Sequence, residues 1–136
     1  MKTNQEILDI FGEIIIKDTY DFSVSMFSKV LRGYKIWEND IDPLELSNQL
    51  SQEDFSILEN VQKNISRDSM FNLLKIFEEQ QAEIPGRFRL IYEEDGKQVD
   101  LVEISEMLKA EPIIENGWID RFSEYAKISR EDKQIN

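Results

Sequence analysis

The stretch from Asp68 to Gln81 limits most strongly what this chain can fold into. At about 100° per residue on a helical wheel, its apolar side chains cover more than half of the circumference: Met70, Phe71, Leu73, Leu74, Ile76 and Phe77. So wide an apolar arc has to be covered on several sides. We therefore predict that residues 69–81 form the central helix, with the other elements packed around it.

N-cap signals mark the starts of three further helices. Each combines a capping residue with an acid two or three positions later: Thr3 or Asn4 with Glu6, Asp42 with Glu45, and Ser51 with Asp54. We predict a first helix with Gly12 at the edge of its apolar face, where another helix can approach closely. Pro43 begins a short helix, and Gln52 begins a longer one that ends near Ile65. The inward face of that longer helix is predicted to comprise Phe55, Leu58, Val61 and Ile65.

Two boundaries separate these helices from their neighbours. Asp18 or Thr19 is predicted to cap a second helix, which ends before Gly33, where a left-handed glycine is expected. The polar run Ser66-Arg67-Asp68 is predicted to interrupt the apolar stripe and to cap the central helix anew.

The hydrophobic period changes from helical to alternating after Pro85-Gly86. Apolar residues alternate with polar ones on both sides of Asp95-Gly96, which is a strong hairpin signal. We predict a β-hairpin near residues 87–102. Because a two-stranded hairpin is marginal in water, it must pack on the helices or pair with a third strand such as Lys35–Trp37.

The C-terminal third carries weaker helix signals. Ser105 is predicted to cap a short helix that ends at Lys109. A last helix either runs through Asn116-Gly117 or begins after it, at Trp118. We expect one domain over residues 1–128 and a frayed polar tail over 129–136. The fold class is α+β, mainly α-helical, with about six helices around the central one.

The charge and the missing residue types narrow the function. The chain carries 28 acidic and 16 basic residues, a net charge of −12, and the excess is spread along its length. It offers no basic stripe for a nucleic-acid backbone. Histidine and cysteine are absent, so the commonest catalytic base and the thiolate nucleophile are missing. We predict neither catalysis nor a cofactor. The simplest interpretation of the acidity is solubility, and the functional one is an acidic face for a basic partner.

The apolar segments are too short for membrane or secretory signals. The longest aliphatic run is Ile14–Ile16, far below the ~20 apolar residues that span a bilayer. We therefore expect a cytoplasmic protein without a membrane segment.

Two clusters are candidate partner-binding sites. In the first, Tyr34 and Trp37 precede the acidic residues Glu38 and Asp40, and such rings are efficient contact anchors. For Trp37 and Trp118, however, a core position is the preferred interpretation. The second cluster is Glu93, Glu94 and Asp95 at the predicted hairpin tip. A metal site is not predicted, because the acids before Pro43 lack the glycine and the final glutamate of a calcium loop.

One further acidic group needs a cation nearby. Glu78, Glu79 and Glu83 lie toward the C-terminus of the central helix, where the helix dipole disfavours negative charge. We expect a nearby arginine or lysine to compensate them, with Arg87 and Arg89 as the candidates.

Three functional classes stay open. The preferred one is a non-enzymatic protein that binds and occupies a basic partner protein, as an inhibitor or an immunity-type factor does. The second is a structural or regulatory subunit that self-associates, as a homodimer, through the hairpin edge or an aromatic face. The third is a carboxylate-based, metal-dependent enzyme, which would need several acids converging in one pocket with perturbed pKa values.

The central helix can be tested without knowing the function. We expect Leu74→Asp to destabilise the protein by several kcal/mol, because the substitution buries an unpaired charge in the predicted core. Thermal unfolding measures the effect, and a near-native melting temperature would show that the core is centred elsewhere.

Overall fold

The protein is mainly helical with one β-hairpin, as predicted. The structure, a computed structural model, describes residues 2–38, 41–80 and 83–126, so the predicted tail lies outside the described residues. The α-helices are α1 (Asn4–Ile15), α2 (Phe22–Leu31), α3 (Pro43–Gln49), α4 (Gln52–Glu79), α5 (Leu101–Ile104) and α6 (Trp118–Phe122). The strands are β1 (Ile91–Glu94) and β2 (Lys97–Asp100). A π-helical segment (Ile16–Asp21) and a 3₁₀ turn (Leu108–Ala110) complete the fold.

The first two helices form one continuous rod. Thr3 caps α1 in a full capping box with Glu6, as predicted. The predicted new start at Asp18 or Thr19 is wrong, because the backbone stays helical through the π-helical segment. The Thr19 hydroxyl donates to the carbonyl of Ile15 instead of capping a new helix. A π-helical turn adds a residue without breaking the rod, so it changes the phase of the apolar stripe where the sequence suggested a boundary.

The rod ends as its glycine predicts. Gly33 has a φ of +97°, and the Tyr34 N–H donates to the Lys29 carbonyl over 3.0 Å. This bond is the outer one of a Schellman motif, which turns the chain sharply away from the helix axis.

Helix α4 is a second rod of 28 residues. Ser51 and Asp54 form the predicted capping box at its start. The predicted interruption at residues 66–68 is wrong, because the helix continues to Glu79 and ends at Gln80, whose φ is 45°. The run contains neither glycine nor proline, and capping propensity is a weak prior once a helix is held by packing.

The two rods lie antiparallel. Ser28 Oγ donates to Glu59 Oε1 over 3.0 Å, and the Thr19 hydroxyl lies 3.8 Å from the sulfur of Met70. Residue numbers therefore rise along one rod as they fall along the other.

The predicted central helix is covered on one side only. In α4, all of which the structure describes, Met70 and Leu74 are the buried residues. Leu73 and Ile76, predicted to be core, are about half exposed, and so are Val61 and Ile65. The apolar arc is as wide as the sequence indicated, but the neighbouring elements leave its Leu73 and Ile76 side exposed.

The core is centred on Trp118 and the first rod. Trp118 is fully buried, and its ring meets that of Phe11 edge-on with centroids 5.6 Å apart. A β-carbon at Gly12 would lie 2.5 Å from the indole ring, so the glycine permits this approach, as predicted. Helix α6 begins at Trp118, the second of the two alternatives for the last helix.

The hairpin forms as predicted, with shorter strands. Ile91 pairs with Asp100, and Glu94 pairs with Lys97. The turn residues Asp95 and Gly96 have φ values of 52° and 78°, the positive values that a tight hairpin turn requires. Among the described residues no third strand joins the sheet, and 35–37 is not a strand. The hairpin is supported instead by packing of Tyr92 and Val99 on the helical core.

The segment after the hairpin folds differently from the prediction. Asp100, which is buried, accepts a hydrogen bond from the Val102 N–H over 2.9 Å and caps the short helix α5. Ser105, the predicted cap, instead follows the end of α5, and a 3₁₀ turn replaces the predicted helix. The cap lies upstream of the predicted position because β2 ends at Asp100, directly before the first residue of α5. In the described part of the chain, no helix has both the length and the hydropathy of a membrane span.

The contact between Gly12 and Trp118 predicts that a Gly→Ala substitution in this helix lowers the stability of the protein, the opposite of the usual effect. Alanine normally stabilises a helix interior by about 1 kcal/mol relative to glycine. We expect Gly12→Ala to destabilise by about 1–3 kcal/mol, because the new methyl group overlaps the indole. Urea unfolding measures the change. Gly86→Ala is the control, since its β-carbon meets no atom within 4 Å. A stabilised Gly12→Ala variant would contradict the packing.

Candidate partner-binding surface

The turn after α2 brings Tyr34 and Trp37 to the surface. Tyr34 is 62% exposed and Trp37 is 44% exposed. The preferred core position is therefore correct for Trp118 and wrong for Trp37. The difference follows from the Schellman turn at Gly33, which directs the chain away from the core before Trp37 is reached.

Neighbouring aliphatic side chains extend this exposed patch. They form a shallow depression, which is lined by Tyr34, Ile36, Trp37 and Ile41 together with Val30 and Pro43. Leu44, on the first turn of α3, is also more than half exposed. We call this patch the aromatic surface; it comprises Tyr34, Ile36, Trp37, Ile41 and Leu44.

The aliphatic members of the aromatic surface were not identified from the sequence. Ile36, Ile41 and Leu44 lie in a short interval between Gly33 and the first turn of α3. The sequence did contain an indication of this exposure, because so short a connector cannot bury several large apolar residues. The same residues alternate in polarity, however, and this pattern also suits a strand.

Acidic side chains border the aromatic surface. Glu38 and Glu45 are exposed. Asp42 caps α3 by accepting the Leu44 N–H over 3.0 Å, and this role explains its position. Asp40, a predicted site residue, lies outside the described residues. The border therefore presents acids next to the exposed aromatic rings, together with the exposed cations Arg32 and Lys35.

The second predicted cluster, at the hairpin tip, is already occupied within the chain. Glu94 accepts a hydrogen bond from the Lys2 ammonium over 2.6 Å, and this bond lowers the pKa of Glu94. Glu93 accepts from the Gln98 amide over 3.2 Å. Asp95 is exposed, and its backbone forms the turn. The tip thus has less free negative charge than its sequence suggests.

The two predicted clusters do not form one site. The hairpin tip is held by Lys2, just before the N-terminus of α1, and Tyr34 follows the C-terminus of α2. The continuous rod between these points spans residues 4–31. At 1.5 Å per residue, a straight rod of that size separates the clusters by about 40 Å. We therefore take the aromatic surface alone as the candidate site.

The acids at the end of α4 have a basic partner, as predicted, but it is neither of the two arginines named above. Lys109 lies 3.4 Å from Glu78 and forms a short ion pair with Glu79. Arg87 and Arg89 were the wrong choice, because the 3₁₀ turn packs against α4 and brings Lys109 there. Hydrogen bonding to Glu79 raises the pKa of Lys109. This acidic group is therefore structural.

A groove beside the π-helical segment is the other concave feature of note. Its volume is about 620 Å³, and it is lined by Lys17, Asp21, Phe22, Ser25, Phe122, Ser123 and Glu124. Asp21 already accepts from the Ser123 hydroxyl over 2.6 Å and from the Glu124 N–H over 3.1 Å. Lys17 is paired with Glu13 over 2.6 Å. The principal charged groups of the groove therefore have partners within the protein and do not require a ligand.

The described residues also contain no group of three or more acids placed to hold a metal ion. Compared with protein-family models, curated proteins and solved structures, the sequence has no significant match. The function must be argued from the surface itself.

The pair between Lys2 and Glu94 makes a prediction about pH. Because Lys2 depresses the pKa of Glu94 in the folded protein, the pair stabilises the fold above the ordinary glutamate range. That contribution is lost as the pH falls through the depressed value. We expect Lys2→Met to raise the pKa of Glu94 toward its ordinary value in an NMR titration, while Lys17→Met does not. An unchanged Glu94 would mean that the tip is free to bind a partner.

Proposed function

We propose that this protein is a non-enzymatic binding domain that occupies a basic partner protein, in the manner of an inhibitor or an immunity-type factor. The observation that carries the proposal is the exposed aromatic surface with Glu38 and Glu45 at its border. Exposed aromatic rings with adjacent aliphatic residues are typical of the anchors of protein interfaces.

The distribution of cations supports a basic partner. Among the described residues, five lysine or arginine side chains are held in ion pairs within the chain, namely Lys2, Lys17, Lys75, Lys109 and Arg121. These five cations are paired with five acids, so the net charge of −12 lies on the remaining residues of the chain. An excess of that size creates a negative potential, which accelerates encounter with a basic surface.

The chemistry of the aromatic surface suits a protein more than a small molecule. Its depression is shallow, whereas small-molecule sites are usually deep enough to enclose most of the ligand. Trp37 and Leu44 project enough surface to insert between side chains of a partner. We expect the partner to present an apolar pocket bordered by lysine or arginine.

Self-association through the hairpin has less support. Within the described residues the sheet has two strands, so each strand has an open edge. Both strands are four residues long, and β2 begins with a lysine. Short and charged edges are features that disfavour strand addition. Sedimentation at high protein concentration measures self-association directly.

The partner can be sought by affinity capture from the native lysate. The tagged protein is washed at low and then at high salt, and bound proteins are identified by mass. We expect a basic protein that is retained at low salt and weakened at high salt. Capture that is insensitive to salt would refute the electrostatic part of the proposal.

Substitution of Trp37 tests the aromatic surface. We expect Trp37→Ala to weaken partner binding by about 2 kcal/mol or more, roughly thirtyfold, because the change removes an interface anchor. Stability should change little, since the side chain is largely outside the core. Titration calorimetry measures the affinity. Phe22→Ala is the matched control, because Phe22 is also an exposed aromatic residue, but it lies on α2. Equal effects of the two substitutions would exclude a specific role for Trp37.

A further inference from the structure

The outward face of α4 carries an apolar stripe without a covering element. Ile57, Val61 and Ile65 follow one another at intervals of four, and Ile76 lies on the same line three turns beyond Ile65. Their exposed fractions are 53%, 48%, 60% and 53%. The buried residues Met70 and Leu74 point to the other side, where the 3₁₀ turn packs.

The apolar part of the stripe occupies successive turns at Ile57, Val61 and Ile65, about 12 Å of the helix, and resumes at Ile76. Helix α4 contains 28 residues and spans about 42 Å. A stripe at this spacing is the side of a helix that normally faces another helix. In the described part of the chain the only long helical rod beside it, formed by α1 and α2, contacts the opposite side through Met70. The outward face is therefore available to another chain.

The charges along the stripe identify what would fit on it. Asp68 lies on the line of the stripe between Ile65 and Ile76, and Glu53 continues the spacing of four one turn before Ile57. Both acids are exposed. Neither takes part in an ion pair or a hydrogen bond among the described residues. The stripe therefore carries one uncompensated acid at its start and another along its length.

The cations of α4 do not offset these acids, because each is engaged elsewhere. Lys63 lies over the ring of Tyr125 at 5.8 Å, Arg67 donates to the Ile113 carbonyl, and Lys75 pairs with Glu79. The free charges beside the stripe are therefore negative. A second copy of this chain would place acid against acid along the contact, and like charges in an interface disfavour it.

We propose that the outward face of α4 binds a cationic amphipathic helix of a partner protein. The partner helix has an aliphatic stripe that packs on Ile57, Val61, Ile65 and Ile76. It has lysine or arginine along the border and places one of these cations opposite Asp68. This surface shares no residue with the aromatic surface, and the proposal stands whether or not Trp37 contacts a partner.

Synthetic helices test the proposal directly. Three labelled peptides are titrated with the protein by fluorescence anisotropy. One carries a leucine stripe with lysine borders, the second carries the same stripe with glutamate borders, and the third is a scramble of the first with its charge kept and its stripe destroyed. We expect the first to bind at least about tenfold more tightly than either of the others. Absence of binding by the first peptide, or equal binding by the scramble, would overturn the proposal.

Substitutions on α4 locate the site. We expect Ile65→Asp to weaken the lysine-bordered peptide about tenfold or more. Ile14→Asp is the matched control, because Ile14 is an isoleucine of similar exposure on α1. We also expect Asp68→Lys to weaken the lysine-bordered peptide and to strengthen the glutamate-bordered one. Ile57→Asp replaces Ile65→Asp if the latter unfolds the protein by circular dichroism.

The remaining outcomes also decide the question. If Ile65→Asp and Ile14→Asp weaken binding equally, the peptide does not use α4. If the unmodified protein is a dimer that Ile65→Asp dissociates, the stripe is covered by a second copy and the proposal is wrong. Trp37→Ala is measured with the same peptide. If the Trp37→Ala variant retains peptide binding, the α4 surface binds independently of the aromatic surface.

Discussion

The contact between the indole of Trp118 and Gly12 is the interaction on which the rest of this structure depends. It joins α6, near the end of the described chain, to the first rod, and it is possible because Gly12 has no β-carbon. The largest buried side chain of the protein lies there, with the ring of Phe11 against it. Because closing so long a loop costs chain entropy, the closure must be secured by a large apolar contact, which this indole provides.

This location of the core explains why so much apolar surface remains outside it. The first rod, the 3₁₀ turn and α6 converge on one side, and α4 meets them along Met70 and Leu74. Nothing in the described chain lies beyond α4, so its outward stripe is exposed. The aromatic surface has a related origin, since the turn at Gly33 carries Trp37 away from the same core. Both proposed binding surfaces follow from a core that is centred on one side of the molecule.

The acidity of the chain supports the proposal that these surfaces bind basic partners. Five cations are paired with acids of the same chain, at Lys2, Lys17, Lys75, Lys109 and Arg121, so these five do not offset the acids that border the apolar patches. Exposed apolar area combined with uncompensated negative charge favours association with basic, amphipathic partners. It disfavours association between copies of the same chain.

The sequence by itself determined the features that depend on a few neighbouring residues. These include the capping boxes at Thr3 and Ser51, the turn at Asp95-Gly96, the helix end at Gly33 and the α+β class with its helical majority. The tertiary structure alone decided that α4 continues past Ser66, that Val61 and Ile65 face outward, that Trp37 is exposed while Trp118 is buried, and that Lys109 compensates Glu79. The physical reason is that periodicity establishes which side chains share a face of a helix. Whether that face is covered depends on elements that are distant along the chain, and their positions are set by packing around Trp118.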